Sequence, residues 1–536
     1  MDLAARLEEL AALQPEKPAY IYSSQPGRWE TITFIRLYEV SQCLASALLA
    51  RGLRPGMRAA LLTPPSVEFF ALTFALLRTG IVPVIVDPAI GLKQVGACID
   101  ETQPEIFLGN SLTHALRGWF GWGKGTIRHN LSISQLLRTS QSTTFQFPLL
   151  TDSSPAAIIY TSGSTGLPKG ARYTHANFRA QLEMLVCTFG LTQDEIDLPA
   201  FPLYALIDSL LGVTSVIPDI RFPVPGRIDP ARTLEAIQRF GVTNTFASPV
   251  VLDRLARHGI PRGIKLPSLK RVITAGAPAP LPLQERFRQL LTDETDLFGV
   301  YGATEVLPIA VVESRDLFNG ARSRSAQGAG VCLGHPVEGA EVRVIRISET
   351  AIQRWDDSLM LPKNQVGEIT VKGASVTKEY IARDEANRLS KISDGGEVVH
   401  RMGDVGYFDE DGRLWYCGRK SHRVETPHGT FFTEQIEGIF NLHPSVYRTA
   451  LVGVEGEPVL WVELEPRARR ADRRKIIHEL TALGQDHPQA AHIRTFLFLR
   501  RFPTDVRHNS KILRERLARM AKDRLNRPLP GVIYSR

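Results

Sequence analysis

The residues best suited to chemistry lie between Tyr160 and Gly170, where the chain reads YTSGSTGLPKG. Glycines let backbone N–H groups approach a ligand closely, hydroxyls donate hydrogen bonds, and a lysine supplies a positive charge. The residues with these properties are Thr161, Ser162, Gly163, Ser164, Thr165, Gly166 and Lys169. The spacing differs from G-x-x-x-x-G-K-[ST], so this is not a P-loop. The stretch therefore predicts a triphosphate-binding loop of a kind other than the P-loop.

A second group of chemically useful residues is Tyr301-Gly302-Ala303-Thr304-Glu305, which follows the apolar pair Leu297 and Phe298. Glycine permits a close approach, threonine can hydrogen-bond a phosphate, glutamate can hold Mg²⁺, and the aromatic ring can stack on a purine. On its own the pattern is weak, because a Tyr-Gly pair is most often only a turn.

Two shorter motifs follow, Arg401-Met402-Gly403-Asp404 and Gly418-Arg419-Lys420. An aspartate after a glycine is most often a turn residue or a helix cap. Beside the other motifs, the Asp404 carboxylate is suited to accept both hydroxyls of a ribose, and Arg419 to contact ribose or phosphate. A fifth motif runs from Pro503 to Arg514 and contains Lys511, which alone would be an ordinary solvated charge.

The elements that must position these motifs alternate between apolar runs and amphipathic stretches over the first 400 or so residues, which predicts an α/β domain with parallel sheets. Strands are predicted at Ala59–Leu62, Val82–Val86, Ile106–Leu108, Ala156–Tyr160, Asn244–Ala247 and Lys270–Ala275. Helices are predicted at Val67–Leu77, Ala176–Leu185, Ala231–Phe240, Pro249–His258 and Pro282–Leu291.

From about Gly330 the pattern changes to short alternating strands, which predicts a small β-rich subdomain. A polar stretch follows Gly418, and a compact α+β pattern then continues to the end of the chain. We therefore expect a large domain over residues 1–420 and a small C-terminal lid domain over residues 421–536.

Composition narrows the class of protein. A chain of 536 residues with 43% hydrophobic and 22% charged residues fits a globular protein of two or more domains. The five cysteines are scattered without a C-x-x-C pair, which favours free thiols and a cytoplasmic location. The N-terminus carries acidic residues where a signal peptide needs an apolar core, so no export is expected. Prolines and charges interrupt the most apolar segment, Ala59–Val86, so no transmembrane segment is expected.

The net charge of +8 is concentrated after residue 418, where 22 basic and 13 acidic residues leave +9. A solvated basic surface is the ordinary interpretation. A sharper one is a lid that closes over an anionic ligand, or a surface that docks on an acidic partner. Nucleic acid is not expected, because aromatic residues are not interleaved with the basic ones.

In this order the five motifs resemble those of the adenylate-forming superfamily, which comprises acyl-CoA synthetases, luciferases and the adenylation domains of peptide synthetases. The resemblance implies ATP and Mg²⁺ as cofactors and attack of a carboxylate on the α-phosphorus to give acyl-AMP and pyrophosphate. It implies these site residues: the Thr161–Lys169 loop on the β- and γ-phosphates, Thr304 on the α-phosphate, Glu305 on Mg²⁺, Tyr301 against adenine with Gly276, Ala277 and Pro278 opposite, Asp404 and Arg419 on the ribose, and Lys511 bridging ATP and the carboxylate. It also implies a hinge at Ser421, about which the small domain rotates after adenylation.

Three departures from the superfamily pattern concern the acyl group and the second half-reaction. Pro202-Leu203-Tyr204-Ala205 lacks the common histidine, Ser510 replaces a glycine beside a lengthened Lys511 motif, and Ser421 replaces an Asp or Lys. Together with the stretches Pro199–Gly212, Ile217–Asp219 and Asp505–Ile512, these departures resemble the β-lactone synthetases of long-chain olefin biosynthesis.

That subgroup adenylates a long-chain 2-alkyl-3-hydroxy fatty acid, and the substrate's own 3-hydroxyl then displaces AMP without CoA. The resemblance also implies an assembly with a β-lactone decarboxylase and a ketone reductase. Candidate acyl-site residues are Tyr204 and Ala205. His175, Asp208 and His508 are candidate bases, although each such residue is more often structural.

Two alternatives remain open at this point. A conventional long-chain acyl-CoA or acyl-AMP ligase would share every residue of the ATP site. An inactive nucleotide-binding scaffold is disfavoured, because a decayed enzyme would have lost at least one of Lys169, Thr304, Glu305, Asp404 and Lys511, and all five are present.

Overall fold

The computed structural model describes residues 3–25, 27–138, 146–161, 168–218, 228–504 and 512–526. The first elements in chain order are α1 (Leu3–Leu13), β1 (Pro18–Gln25), β2 (Arg28–Thr33), α2 (Phe34–Ala50), β3 (Arg58–Leu62), α3 (Val67–Thr79), β4 (Val82–Ile85), α4 (Leu92–Thr102), β5 (Ile106–Gly109), α5 (Ser111–Phe120), β6 (His129–Leu131), α6 (Ile133–Arg138), β7 (Pro155–Tyr160), β8 (Gly170–Thr174), α7 (His175–Phe189), β9 (Ile196–Pro199), α8 (Ala205–Leu211) and β10 (Thr214–Ile217).

The middle of the chain continues with α9 (Pro230–Phe240), β11 (Asn244–Ala247), α10 (Pro249–Gly259), β12 (Arg271–Thr274), α11 (Leu281–Arg288), β13 (Asp296–Ala303), β14 (Val306–Glu313), α12 (Ser314–Asp316), α13 (Arg322–Ala326), β15 (Val331–Pro336), β16 (Glu341–Ile345), β17 (Gly367–Lys372), α14 (Asp384–Ser390), β18 (Lys391–Asp394), β19 (Glu397–Phe408) and β20 (Leu414–Arg419). The last elements are β21 (Val424–Thr426), β22 (Gly429–Phe431), α15 (Thr433–Phe440), β23 (Val446–Val454), β24 (Glu457–Leu464), α16 (Arg473–Gln485), β25 (Thr495–Leu499) and α17 (Arg514–Asn526).

The segment Ala59–Val86 shows how the sequence builds this fold. It forms β3, α3 and β4, as predicted, and the two strands pair in parallel. The Ser66 hydroxyl caps α3 by accepting from the Phe69 N–H, and Gly80 ends the helix with φ 67°. Ten of the thirteen residues of α3 are buried, which explains why the segment is so apolar without being a membrane span.

Two large sheets organise the part of the chain before residue 420. A six-stranded sheet has the order β6-β5-β3-β4-β7-β8. A fourteen-stranded sheet runs β16-β17-β19-β20-β15-β14-β13-β12-β11-β9-β10-β1-β2, with β18 beside β19. The neighbouring strands from β10 through β9, β11 and β12 to β13 pair in parallel, whereas the strands from β13 to β16 pair antiparallel. The predicted α/β class with a β-rich subdomain is confirmed.

After Arg419 the described strands pair among themselves, β21 with β22 and β23-β24-β25 in a three-stranded sheet. Helices α15 and α16 pack on one side of the three-stranded sheet around Phe440 and Leu460, and α17 packs around Trp461. This separate core supports the proposed division at residues 420 and 421.

Several predicted boundaries were imprecise by one to four residues. The predicted helix Pro282–Leu291 is α11, Leu281–Arg288, and the predicted strand Lys270–Ala275 is β12, Arg271–Thr274. All five cysteines are free thiols. None of the helices in the described ranges is long and apolar enough to cross a membrane.

Candidate active site

The hairpin of β13 and β14 carries the Tyr301–Glu305 motif at its turn. Gly302 leaves little room for a side chain there, because a Cβ atom would lie 2.5 Å from Leu307 Cδ1 and 3.2 Å from the Val306 carbonyl oxygen. The Thr304 carbonyl accepts a hydrogen bond from the Tyr173 hydroxyl, and the Glu305 carbonyl accepts from the Thr377 N–H at 2.9 Å. The turn is thereby fixed from β8 and from the loop after β17.

Asp404 and Arg419 lie directly opposite each other on β19 and β20. Arg419 Nε is 3.1 Å from Asp404 Oδ1, and the Tyr301 hydroxyl donates to Asp404 Oδ2 at 2.6 Å. Asp404 is only 5% exposed, so its charge depends on these two partners. Burial and the neighbouring Asp404 carboxylate raise the pKa of Tyr301 well above its usual value, and the same carboxylate raises the pKa of Arg419.

The predicted phosphate loop connects β7 to β8. The Thr161 N–H donates to the Lys169 carbonyl at 2.9 Å and closes the base of the loop. Ser162, Gly163, Ser164, Thr165 and Gly166 lie outside the described residues. The Lys169 Nζ atom lies 5.1 Å from the centre of the Tyr380 ring. Burial lowers the pKa of Lys169, and the Glu305 carboxylate opposes that shift.

Tyr380 connects the phosphate loop to the hairpin. Its hydroxyl donates to Glu305 Oε1 at 2.5 Å, and Ala171 of β8 forms a backbone bridge with it. The Lys391 Nζ atom lies 5.2 Å from the same ring and donates to the Thr377 carbonyl. Burial lowers the pKa of Lys391 to about 7. A partner for the Glu305 carboxylate and a second buried cation therefore stand beside the predicted residues.

Sequence reasoning missed both Tyr380 and Lys391. Tyr380 follows a Lys-Glu pair, and Lys391 follows the amphipathic α14, where a lysine is normally solvated. The only sequence signal was the position of Lys391 at the start of a short alternating strand. The position of Lys391 at the start of a strand does not indicate which side chains it contacts.

These residues border one cavity of about 2290 Å³ between the large and the small domain. Gly276, Ala277 and Pro278 line it together with Tyr301, and Thr161, Lys169, Thr304, Glu305, Asp404 and Arg419 also line it. The small domain contributes Glu434, Arg448, Arg501 and Ile512 among others. The geometry therefore gathers every described residue of the predicted nucleotide site around one space.

Lys511 lies outside the described residues, whereas Thr504 and Ile512 are described. Thr504 and Ile512 form a backbone bridge that brings the two ends of the 505–511 segment together. Ile512 lines the cavity. The role of Lys511 stays a prediction.

The predicted acyl-site residues lie behind the cavity wall. Tyr204 is buried and stacks on Phe246 with ring centres 4.3 Å apart, and Phe246 lines the cavity. Asp208 is buried and accepts from the Ser215 hydroxyl at 2.6 Å, and burial raises its pKa to about 7. Tyr204, Ala205, His175 and Asp208 are absent from the described residues that line the cavity. His508 lies outside the described ranges.

Glu305 is the candidate ligand for Mg²⁺. The described residues contain no group of three or more His, Cys, Asp or Glu side chains that could hold a metal ion. One carboxylate beside a phosphate site suits Mg²⁺, which is usually bound by one or two carboxylates together with the phosphates of a substrate. The donor set thus fits a metal that arrives with a nucleotide.

Comparison with known proteins identifies the family. A family model described as AMP-binding enzyme matches residues 7–381. The olefin beta-lactone synthetase of Xanthomonas campestris is 43% identical, over 96% of this chain and 97% of its own. The enzyme of the same name from Stenotrophomonas maltophilia is 41% identical, over 98% of this chain and 99% of its own.

Solved structures show the same fold. The O-succinylbenzoate coenzyme A synthetase of Bacillus subtilis, in complex with ATP and magnesium, superposes with a TM-score of 0.77 at 23% identity, covering 96% of this chain and 98% of its own. The amide bond synthetase McbA of Marinactinospora thermotolerans superposes with a TM-score of 0.79 at 24% identity, covering 97% and 99%.

Proposed function

Since this chain belongs to the family of AMP-binding enzymes and is an AMP-forming ligase, we propose that it converts a long-chain 2-alkyl-3-hydroxy fatty acid into a β-lactone. ATP would first activate the carboxylate as an acyl adenylate. The observation that carries the proposal is the nearly full-length similarity to two olefin beta-lactone synthetases, together with a nucleotide site whose described members all meet in one cavity.

The ribose and adenine are held by the cluster around Asp404. Its two carboxylate oxygens accept the ribose hydroxyls, with Arg419 fixing the carboxylate from the neighbouring strand. Tyr301 borders the adenine on one side, and the Gly276–Pro278 segment borders it on the other. Gly276 has φ 90°, a conformation that glycine adopts readily and that lets the backbone approach the base.

The phosphates lie toward Lys169, Thr304 and the loop before Lys169. Magnesium bound at Glu305 would offset the negative charge of the phosphates. Tyr380 holds the Glu305 carboxylate in place through its hydroxyl. Lys511 bridges the nucleotide and the fatty-acid carboxylate during adenylation. The buried Lys169 adds positive potential at the point where pyrophosphate separates.

The second half-reaction closes the lactone. The substrate's 3-hydroxyl oxygen forms a bond to the carbonyl carbon, the bond from that carbon to the AMP oxygen breaks, and the hydroxyl proton passes to a base. A nucleophile on the same molecule has a high effective concentration, so no external thiol is needed. The apolar lining contributed by Ala200, Phe201 and Phe246 suits the alkyl chains.

The decisive experiment incubates the protein with ATP, Mg²⁺ and a 2-alkyl-3-hydroxy acid, with and without CoA, and identifies products by NMR. A β-lactone with equimolar AMP in the absence of CoA supports the proposal. A thioester that forms only with CoA would show a conventional acyl-CoA ligase instead. An absence of AMP in both samples would refute adenylation of this acid.

The matched variants are Asp404→Ala, which removes the ribose carboxylate, and Asp411→Ala, which removes an aspartate that is 66% exposed in a turn. The first is expected to abolish AMP release, whereas the second leaves it unchanged. Equal loss in both variants would indicate a general effect on folding.

A decarboxylase and a ketone reductase of the olefin pathway are the proposed partners. The names of the two relatives support this, because an olefin is reached from a β-lactone by loss of carbon dioxide. The free cysteines support the proposed cytoplasmic location. Size-exclusion chromatography of the three proteins together tests the assembly, and separate elution would contradict it.

A further inference from the structure

The stretch from Ile106 to Thr151 has a composition unlike the rest of the chain. It contains no aspartate or glutamate in 46 residues, although the whole chain has 56 among 536. Its four arginines and lysines, Arg117, Lys124, Arg128 and Arg138, therefore give it a clear positive charge. Most of the stretch belongs to the edge of the six-stranded sheet formed by β5, α5 and β6.

Helix α5 within this stretch turns an apolar face outward. Leu112, Ala115 and Trp119 follow a spacing of three and four residues, which places them on one side of a helix. All three are exposed, Leu112 at 66% and Trp119 at 87%. Phe120 adjoins them at 47% exposure and stacks on the buried Trp122. Surface helices normally present polar residues to water, whereas this face of α5 exposes apolar residues to solvent.

Two basic side chains follow the apolar face along the chain. Lys124 and Arg128 follow α5 and are exposed, and no carboxylate partner is recorded for either among the residues the structure describes. Asp100 is the acidic residue recorded in contact with this turn, and its carboxylate accepts the Gly123 N–H at 2.8 Å. We call the set Leu112, Trp119, Phe120, Lys124 and Arg128 the Trp119 surface.

We infer that the Trp119 surface docks the protein on an anionic lipid bilayer. Trp and Phe side chains flanked by Lys and Arg are suited to the boundary between headgroups and acyl chains. Charge complementarity favours anionic lipid over a neutral bilayer, because each basic residue near such a surface adds attraction. A peripheral attachment would also keep the enzyme where long-chain acids partition, although the inference holds whatever the product.

Sedimentation with vesicles tests the inference. The wild-type protein is expected to bind vesicles of phosphatidylcholine with about a third phosphatidylglycerol. Binding to pure phosphatidylcholine vesicles, or in high salt, is expected to be at least about tenfold weaker. Trp119→Ser/Phe120→Ser and Lys124→Glu/Arg128→Glu should each lower binding by about tenfold or more. All four side chains are exposed, and thermal unfolding verifies that the variants fold.

Two control variants match these changes elsewhere on the surface. Leu13→Ser/Met360→Ser removes two exposed apolar side chains, and Arg470→Glu/Arg474→Glu reverses two exposed charges of the small domain. Both are expected to bind like the wild type. Loss of binding in Arg470→Glu/Arg474→Glu equal to that in Lys124→Glu/Arg128→Glu would overturn the inference in favour of diffuse charge attraction.

Trp119→Phe gives an independent readout. It should retain vesicle binding while losing most of the fluorescence quenching that brominated lipids cause in the wild type. Unchanged quenching would mean that Trp119 does not enter the bilayer, and would overturn the inference. A wild-type protein that ignores both kinds of vesicle, and self-associates through Trp119 and Phe120 in size-exclusion chromatography, would assign the surface to a protein contact instead.

Discussion

Replacing Asp404 by asparagine tests the nucleotide site at its centre. Asparagine has nearly the same size, and its single amide oxygen can still accept the Tyr301 hydroxyl, which now donates at 2.6 Å. The amide group carries no charge opposite Arg419. It has one acceptor oxygen where the carboxylate has two, so it can accept a hydrogen bond from only one of the two ribose hydroxyls. The change therefore weakens binding of the ribose while it preserves the packing around residue 404.

The expected effect follows from the hydrogen bonds that are lost. A hydrogen bond to a charged group contributes about 1.5–3 kcal/mol. Losing one of the two ribose contacts should therefore weaken ATP binding about 10- to 150-fold. Because Arg419 is a third exposed, water partly compensates it, and the free energy of unfolding should fall by only about 1–2 kcal/mol.

ATP–pyrophosphate exchange measures the effect as the KM for ATP, with the KM for the fatty acid as an internal reference. Asp404→Asn should raise the first and leave the second nearly unchanged. Asp411→Asn, in an exposed turn, is the control. A KM for ATP within twofold of the wild type in a folded Asp404→Asn protein would refute the assignment of the ribose to Asp404.

Three further changes probe neighbouring parts of the cavity. Tyr380→Phe removes the hydroxyl that donates to Glu305. The Mg²⁺ concentration that gives half-maximal exchange activity should therefore rise about tenfold, and an unchanged Mg²⁺ titration would contradict this. Burial, with the neighbouring Glu437 carboxylate, raises the pKa of Glu434 to about 7, so the folded state holds a proton that the unfolded state releases between pH 4.5 and 7. Stability should therefore fall as pH rises through that window, and Glu434→Gln, followed by urea unfolding, should lack this decrease. Arg514→Met leaves the buried Glu437 carboxylate without its guanidinium partner and should destabilise the small domain by about 3–5 kcal/mol in urea, whereas a change below about 1 kcal/mol would show that the pair contributes little.

The elements of this fold were predictable because their signals are local. The prolines and charges around Ala59–Val86 divided an apolar segment into strand, helix and strand, and α3 and its two neighbouring strands follow that division. Residue types likewise predicted nucleotide contacts at Tyr301, Asp404 and Arg419. The structure brings these three side chains together, and their role stays a prediction.

The contacts between motifs were not predictable from the sequence. Tyr301 and Asp404 are 103 residues apart, and their hydrogen bond depends on how β13 and β19 are ordered in a fourteen-stranded sheet. Tyr380 meets Glu305 only because the loop after β17 returns to pair with β8. The position of Tyr204 behind the cavity wall was unpredictable for a similar reason, since it depends on the stacking of Tyr204 on Phe246, which lines the cavity.

On either side of the proposed hinge at Ser421, the neighbouring residues contact different domains. Lys420 donates to the Ser348 carbonyl at 2.8 Å and pairs with the buried Glu368, so it belongs to the large domain. His422 contacts Glu515 of α17 at 3.2 Å, so it belongs to the small domain. Among the described residues, the ion pair between Arg423 and Glu349 at 2.8 Å crosses back, and the Gln489 side-chain amide also donates to the Gln327 carbonyl at 2.6 Å. A rotation about Ser421 would have to break both contacts. Glu349 is well exposed in that pair, so the cost of breaking it is small.

This division has a consequence for the two half-reactions. Arg419 and Asp404 face each other on paired strands before the hinge, so a rotation of the small domain leaves the proposed ribose contacts intact. Lys511, which lies beyond the hinge, would move with the small domain. In the proposed rotation, the AMP portion of the acyl adenylate would stay anchored while Lys511, the proposed adenylation lysine, departs. Lactone closure needs only that anchored adenylate and the hydroxyl of the same substrate, whereas a thioester-forming enzyme must also admit an external thiol. On this proposal the nucleotide site serves both steps unchanged, and we expect the difference between a lactone and a thioester to lie in the acyl pocket and in the motif that carries Lys511.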